Sequence, residues 1–200
     1  MRYLSIDLEA TGLAEHDRII EFAAVPFDTE TGVISNDLGF HHFIKCPSFE
    51  ELRPSLDQWV IDHNESLITK AHEEGLEISD FKNEFESYLN SQEIKDYFGE
   101  KSIILFGKSM NAIDLPFLNR DLGWSFIRKY FHHQQLDLSS VVYSMINMKL
   151  IPEKCSSGSF LMEFTGLGEV KHTALEDAIN TAEIYFKLLK ISEQSLSKEG

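Results

Sequence analysis

Cysteine is scarce: Cys46 and Cys155 are the only two in 200 residues. Neither belongs to a CxxC pair or has a histidine at ligand spacing. That excludes a thiolate metal site and a disulfide scaffold, and both read as free thiols of a reducing cytoplasm. Long apolar runs are missing too. No stretch of about 18 apolar residues exists, so no membrane-spanning helix is expected. The opening residues lack a basic segment followed by an apolar one, which argues against a secretory leader. Positive charge is in deficit, with 18 Lys+Arg against 33 Asp+Glu and a net charge of -15. Such a balance disfavours tight, non-specific duplex binding, which rests on many phosphate neutralisations. A small nucleic-acid substrate held by bound cations and a few local contacts is compatible with it. No internal repeat is present.

What the chain does have is a 42% hydrophobic composition over 200 residues, enough for one domain with a real core. We place that domain at residues 1–192, followed by a polar tail at 193–200. Residues 3–6 form an apolar run, and a second run at 19–28 precedes a turn at 28–32. A third strand is expected from Val33 through Ile44. Short connections make these three antiparallel neighbours. Between 48 and 100 the period becomes helical, with Ile78, Phe81, Phe85 and Leu89 on one face and a break at Glu74-Gly75. Residues 102–107 read as a buried central strand, followed by a helix over 115–122. A short strand at 135–138 leads into a helix over 139–146. The sum is an α/β fold: a mixed five-stranded sheet, three strands antiparallel and two parallel, flanked by α-helices.

Three acidic sites stand out. Asp7 and Glu9 lie two apart at the end of the first strand, so their side chains share a face. Held that close, they raise each other's pKa unless a cation intervenes. Asp114 follows the buried strand at a strand-to-helix junction, where α/β sheets gather ligands. Thr173 and Glu176 have the spacing of a capping box, so a helix should start at Thr173. His172 then precedes the cap and Asp177 is the fourth helical residue. Those two positions normally carry an apolar staple; here they carry a base and a carboxylate. Each feature has an ordinary reading as a solvated strand end, a first-turn Asp or a surface His. Together they supply four carboxylates and one general base. Four oxygen ligands suit two Mg²⁺ or Mn²⁺ ions clamping a phosphodiester. Asp7, Glu9 and Asp177 would share the ions, and Asp114 would reach one directly or through water. His172, with an ordinary pKa of about 6.5, would take a proton from the attacking water.

This ordered set resembles the DEDDh 3′–5′ exonucleases of the ribonuclease-H-like superfamily. Asp7 and Glu9 match the first motif, Asp114 the second, and His172 with Asp177 the third. The resemblance implies removal of nucleotides from a 3′ end by two-metal hydrolysis, releasing nucleoside 5′-monophosphates. It also implies that Ala10, Thr11, Gly12 and Leu13 cradle the terminal nucleotide, with Leu13 wedged beside the base. Residues 17–21, 58–63 and 130–137 are similar to oligoribonucleases. Those are dimers that degrade very short RNA, so short RNA and a homodimer become expectations. Trp59 and His63 lie four apart on an expected helix, so one face would stack a base and touch a phosphate. The chain departs from that subfamily at His133 and Gln134, where its members carry Tyr and Arg, and its second motif is one residue longer. A DNA-directed proofreading or repair exonuclease is therefore the alternative, ahead of a non-catalytic nucleic-acid-binding module. A basic patch for substrate is expected around Arg120, Arg128 and Lys129.

Overall fold

Strand β1 (Arg2–Ala10) and strand β2 (Ile19–Asp28) pair antiparallel, with Asp7 opposite Ala23 and Glu9 opposite Glu21. The computed structural model describes residues 1–99, 101–168 and 173–197. All ten residues of β2 are buried, because helices cover both faces of the sheet. After β2 come β3 (Val33–Ile34) and β4 (Phe40–Phe43), and both pair antiparallel with β2. The single third strand expected over 33–44 is thus two. A 3₁₀ turn at Asn36–Leu38 lifts the chain off the β2 edge before Gly39 returns it, so the sheet has six strands instead of five.

Helices α1 (Phe49–Leu52), α2 (Gln58–His63), α3 (Glu65–Glu74), α4 (Ile78–Asn90) and α5 (Gln92–Phe98) follow. The break expected at Glu74-Gly75 is the end of α3. The stripe expected along α4 buries Phe81, Phe85 and Leu89 against Phe22 and Phe40 of the sheet. Strand β5 (Leu105–Gly107) then inserts parallel to β1. Next are α6 (Asp114–Asp121), α7 (Trp124–Tyr130), β6 (Leu136–Asp137) parallel to β5, α8 (Leu138–Asn147), α9 (Gly158–Thr165) and α10 (Ala174–Leu196). The sheet order is β3-β2-β1-β5-β6, with β4 also on β2.

Alternation along β1 divides the core. Leu4, Ile6 and Leu8 face α4, α6 and α7, within one aromatic-rich cluster. Tyr3 and Ser5 face the other way, toward α8, α9 and α10. Ala23, Ala174 and Ala178 line the seam between the sheet and α10. Their small side chains let the helix lie close to the strands, and Ser5 Oγ donates a 2.7 Å bond to the Ala178 carbonyl. Cys46 and Cys155 are both free and buried. Among the described residues, no helix is long and apolar enough to cross a membrane.

Candidate metal centre

Asp7 and Glu9 project from the same face of β1 as Ser5, and that face receives α10. Helix α10 begins at Ala174, so Asp177 lies one turn in, its N–H bonded to the Thr173 carbonyl at 2.9 Å. The helix thereby sets Asp177 over the two strand carboxylates. Oxygens of Asp7, Glu9 and Asp177 all lie within 4.8 Å of one another, and each residue is partly exposed. An irregularity between Glu9 and Ala10 shifts the β1–β2 register just past the pair. Such bulges redirect side chains at the rims of sheets.

Asp114 arrives from the neighbouring strand. β5 ends at Gly107, where a Cβ would lie 3.1 Å from the Ile6 carbonyl oxygen and 3.2 Å from the Met110 Cβ. The missing side chain lets the connection pass close to β1 on its way to α6. Asp114 opens α6 and is only 4% exposed.

The electrostatics follow from this crowding. Burial pushes the Asp7 carboxyl well above its ordinary value, and Asp114, Asp177, Glu9 and Glu21 add to the rise. Glu9 is raised to about 7 by burial, then by Asp177, Glu21 and Asp114. Asp114 also stands at about 7, chiefly through burial and further through Asp137. The N–H groups of Asp114 itself and Leu8 pull the other way. Four carboxyl groups that cannot all ionise cheaply, with oxygen as the only donor type, fit a hard divalent cation.

The residues expected to form the site are not all gathered in one place. Asp7, Glu9 and Asp177 are brought together, and Asp114 is close enough to raise two of them. His172 lies outside the described residues. Thr11 is buried, and its Oγ1 donates to Asp17 Oδ1 at 3.0 Å while accepting from the Arg18 N–H at 3.0 Å. The Asp17 Oδ2 accepts from the Ala14 N–H at 2.7 Å, closing residues 11–17 into a fixed loop. Ala10 ends β1 at the mouth of that loop, and Gly12 packs on the Asp17 carboxyl group. Leu13 at its tip is 74% exposed. On α2, the Trp59 and His63 rings stack 4.6 Å apart at 17°, and His63 Nδ1 lies 2.7 Å from the Trp59 carbonyl oxygen.

Two expectations need correction. The capping box at α10 is not formed: Thr173 makes no side-chain cap, and its hydroxyl donates to Glu176 Oε2 at 3.2 Å. The basic patch is largely neutralised. Arg120 forms a two-pronged ion pair with Asp121 and donates to the carbonyls of Glu15 and Asp17, while Lys129 pairs with Glu86 at 2.9 Å. Arg120 therefore ties α6 to the 11–17 loop at the surface.

Asp137 has a supporting role that the motifs do not include. Its Oδ1 accepts from the N–H groups of Ser139 at 2.8 Å and Ser140 at 3.4 Å, capping α8, and from Ser109 at 3.2 Å. It thus holds the loop that delivers Asp114, with Ser109 at a left-handed φ of 58°. An Asp directly before an apolar-periodic helix is the one signal of this in the sequence.

A family model for exonucleases, RNase_T, matches residues 4–185. The fold is similar to the crystal structure of cell-death related nuclease 4 (CRN-4), with 18% identity and a TM-score of 0.68. That likeness covers 95% of this chain and 64% of CRN-4. The nuclease domain of 3′hExo, a DEDDh family member bound to rAMP, is 18% identical with a TM-score of 0.66. Coverage there is 94% of this chain and 92% of that one. A zinc-bound complex of E. coli ExoI with ssDNA is 19% identical with a TM-score of 0.68, covering 98% of this chain and 42% of ExoI. The chain thus spans less than two thirds of CRN-4 and less than half of ExoI. No curated protein sequence matches it significantly. The shared architecture is the ribonuclease-H-like exonuclease fold.

Proposed function

The chain belongs to the exonuclease family, and from that premise we propose a DEDDh-type 3′–5′ exonuclease, a two-metal phosphodiesterase acting on short single-stranded nucleic acid, RNA before DNA. The observation that carries it is the oxygen cluster of Asp7, Glu9 and Asp177 within 4.8 Å. In this reading those three hold two Mg²⁺ or Mn²⁺ ions, and Asp114 completes the set directly or through water. Bound divalent cations supply charge stabilisation at the scissile phosphate and a lowered pKa for water. The carboxylates fix where that charge is concentrated, and bound cations relieve the mutual repulsion of their ionised forms.

His172 is the general base and takes the proton of the attacking water at its imidazole. The 11–17 loop, pinned through Asp17 and Arg120, holds the 3′-terminal nucleotide along Ala10, Thr11, Gly12 and Leu13. The exposed Leu13 packs beside the last base. The Trp59–His63 stack offers a π-face to a base and an imidazole to a phosphate, independent of sequence. Because Arg120 and Lys129 of the candidate basic patch are engaged in internal pairs, that patch is poorly suited to tracking a long backbone, which favours short substrates. The buried free thiols suit a cytoplasmic protein. A homodimer belongs to the same reading, and a single-chain mass by light scattering rejects it.

The test is a gel assay with 5′-labelled RNA and DNA, from dinucleotides to long single strands, with Mn²⁺, with EDTA and with Asp7→Ala. A metal-dependent ladder shortening from the 3′ end, faster on RNA and on the shortest strands, is expected. A DNA preference selects the proofreading or repair alternative, and intact substrate in every lane selects a binding module.

A further inference from the structure

The face of β2 that meets α10 is built of small and apolar side chains, Ala23 and Val25, packed on Ala174 and Ala178. One carboxylate interrupts it. Glu21 is 1% exposed and stands opposite Glu9 in the β1–β2 register. A buried charge beside a ligand of the same sign is costly, since it contributes to the repulsion felt by both Asp7 and Glu9. Its two oxygens are divided between two partners. Glu21 Oε1 lies 2.6 Å from His41 Nε2 on β4, and Glu21 Oε2 accepts the Ala174 N–H at 3.1 Å.

Ala174 is the first residue of α10, and its N–H is one of the donors that a helix start leaves unsatisfied. The preceding Thr173 does not serve it, since an N-cap hydroxyl reaches the N–H groups two or three residues on, and this hydroxyl engages the Glu176 side chain. The cap is therefore supplied from 153 residues away, by the strand that lies next to the metal-binding strand. One turn further along the same helix is Asp177. Glu21 thus bridges the two elements that must be in register for the three-carboxylate cluster to close.

Resting on the metal-site reading above, we propose that Glu21, oriented by His41, is a positioning residue of the metal centre. It fixes the first turn of α10 against β1–β2 and so sets Asp177 over Asp7 and Glu9. Polar partners that orient metal ligands typically change metal affinity or activity about 10–100-fold when removed.

The test compares Glu21→Gln with the parent by titrating Mn²⁺ calorimetrically at pH 8, alongside amide exchange at Ala174 and kinetics at varied Mn²⁺ and varied substrate. Gln keeps the shape and removes the charge. Mn²⁺ binding weakened about 10–100-fold is expected, with faster exchange at Ala174. The activity lost at low Mn²⁺ should return at high Mn²⁺, and KM for substrate should stay within about twofold, a ratio of well under 1 kcal/mol. His41→Gln, altered at the partly exposed end of the pair, is expected to weaken Mn²⁺ binding less than Glu21→Gln. It keeps the inference testable if Glu21→Gln does not fold. Unchanged Mn²⁺ affinity in the folded variants, even with a lower Tm, overturns the positioning role while leaving the metal site standing. A parent that binds no Mn²⁺ overturns both.

Discussion

Ser5 and Ala178, 173 residues apart, are joined by a 2.7 Å hydrogen bond across the seam between β1 and α10. Both are fully buried, so the bond forms in a medium where a lost partner is not replaced by water. It stitches the strand of Asp7 and Glu9 to the helix of Asp177. Ser5→Ala should cost about 1 kcal/mol, lowering Tm by about 2–4 °C in a chain of this size. Mn²⁺ affinity should fall with it. If Tm drops and calorimetric affinity does not, the bond serves the fold alone. Ser5→Val should be worse, by about 1–3 kcal/mol, because the alanine-lined seam has no room for added methyls.

Removing a ligand carboxylate should separate function from stability. Asp7→Asn takes one carboxyl out of a crowded group of like charges, so the cation-free protein should melt at a higher temperature than the parent. Turnover should fall by more than about 100-fold, as expected when charge stabilisation at the reacting centre is lost. Scanning fluorimetry with EDTA and a turnover assay with Mn²⁺ measure the two effects. A lower Tm in EDTA would show that Asp7 stabilises the apo fold instead of straining it.

The pH dependence should reverse with cation occupancy. Glu9 and Asp114 both stand at about 7, above their ordinary values of 4.5 and 3.8. Their stability contribution is fully present below the ordinary carboxylate range and is lost as pH rises through about 7. In EDTA, this term should therefore lower Tm from about pH 5 to about pH 8. Mn²⁺ binds the ionised forms, so its stabilising shift should grow over the same interval. At about 100 times Kd it contributes about 2.7 kcal/mol, or about 5–10 °C here. Equal Mn²⁺ shifts at both ends of the range would contradict the titration.

Gly12→Ala should separate substrate binding from metal binding. A Cβ there would lie 2.8 Å from the Asp17 carboxyl carbon. That carboxylate cannot simply swing aside, because it holds both Thr11 and Ala14. KM should rise with Mn²⁺ affinity unchanged. A normal KM would mean that the 11–17 loop does not carry the terminal nucleotide.

Trp59→Ala addresses the length preference. Trp59 is 51% exposed, so its removal should cost little stability. Losing a stacking platform should weaken binding by about 1–3 kcal/mol per base. KM measured on RNA di- to pentanucleotides should rise, and catalysis of bound substrate should not change. An unaffected KM would assign the Trp59–His63 stack to the surface of α2 and nothing more.

What is legible in the sequence is local. The period-2 pattern of β1 puts Asp7 and Glu9 on one face, and the helical stripe of α4 buries Phe81, Phe85 and Leu89 while Ile78 at its start stays exposed. The start of α10 is placed within a residue because Thr173 still occupies the cap position. What stays hidden is non-local. The same Thr173–Glu176 spacing that suggests a capping box yields a side-chain pair instead, and the Ala174 N–H is met by Glu21. Nothing near Glu21 in sequence marks a residue that caps a helix 153 positions later. The basic patch fails for a similar reason, since its carboxylate and carbonyl partners lie largely on other elements. The break between β3 and β4 depends on a 3₁₀ turn that the apolar count alone does not reveal.

The seam between β1 and α10 also bears on the order of events during synthesis. Contacts spanning 173 residues are among the slowest a chain can make, because the intervening loop must close before they offer any return. A ribosome-bound fragment ending before α10 has Asp7, Glu9 and Asp114 but no Asp177. Such a fragment lacks the third carboxylate of the cluster. Assembly of the cluster is thereby deferred until the helix has emerged and docked.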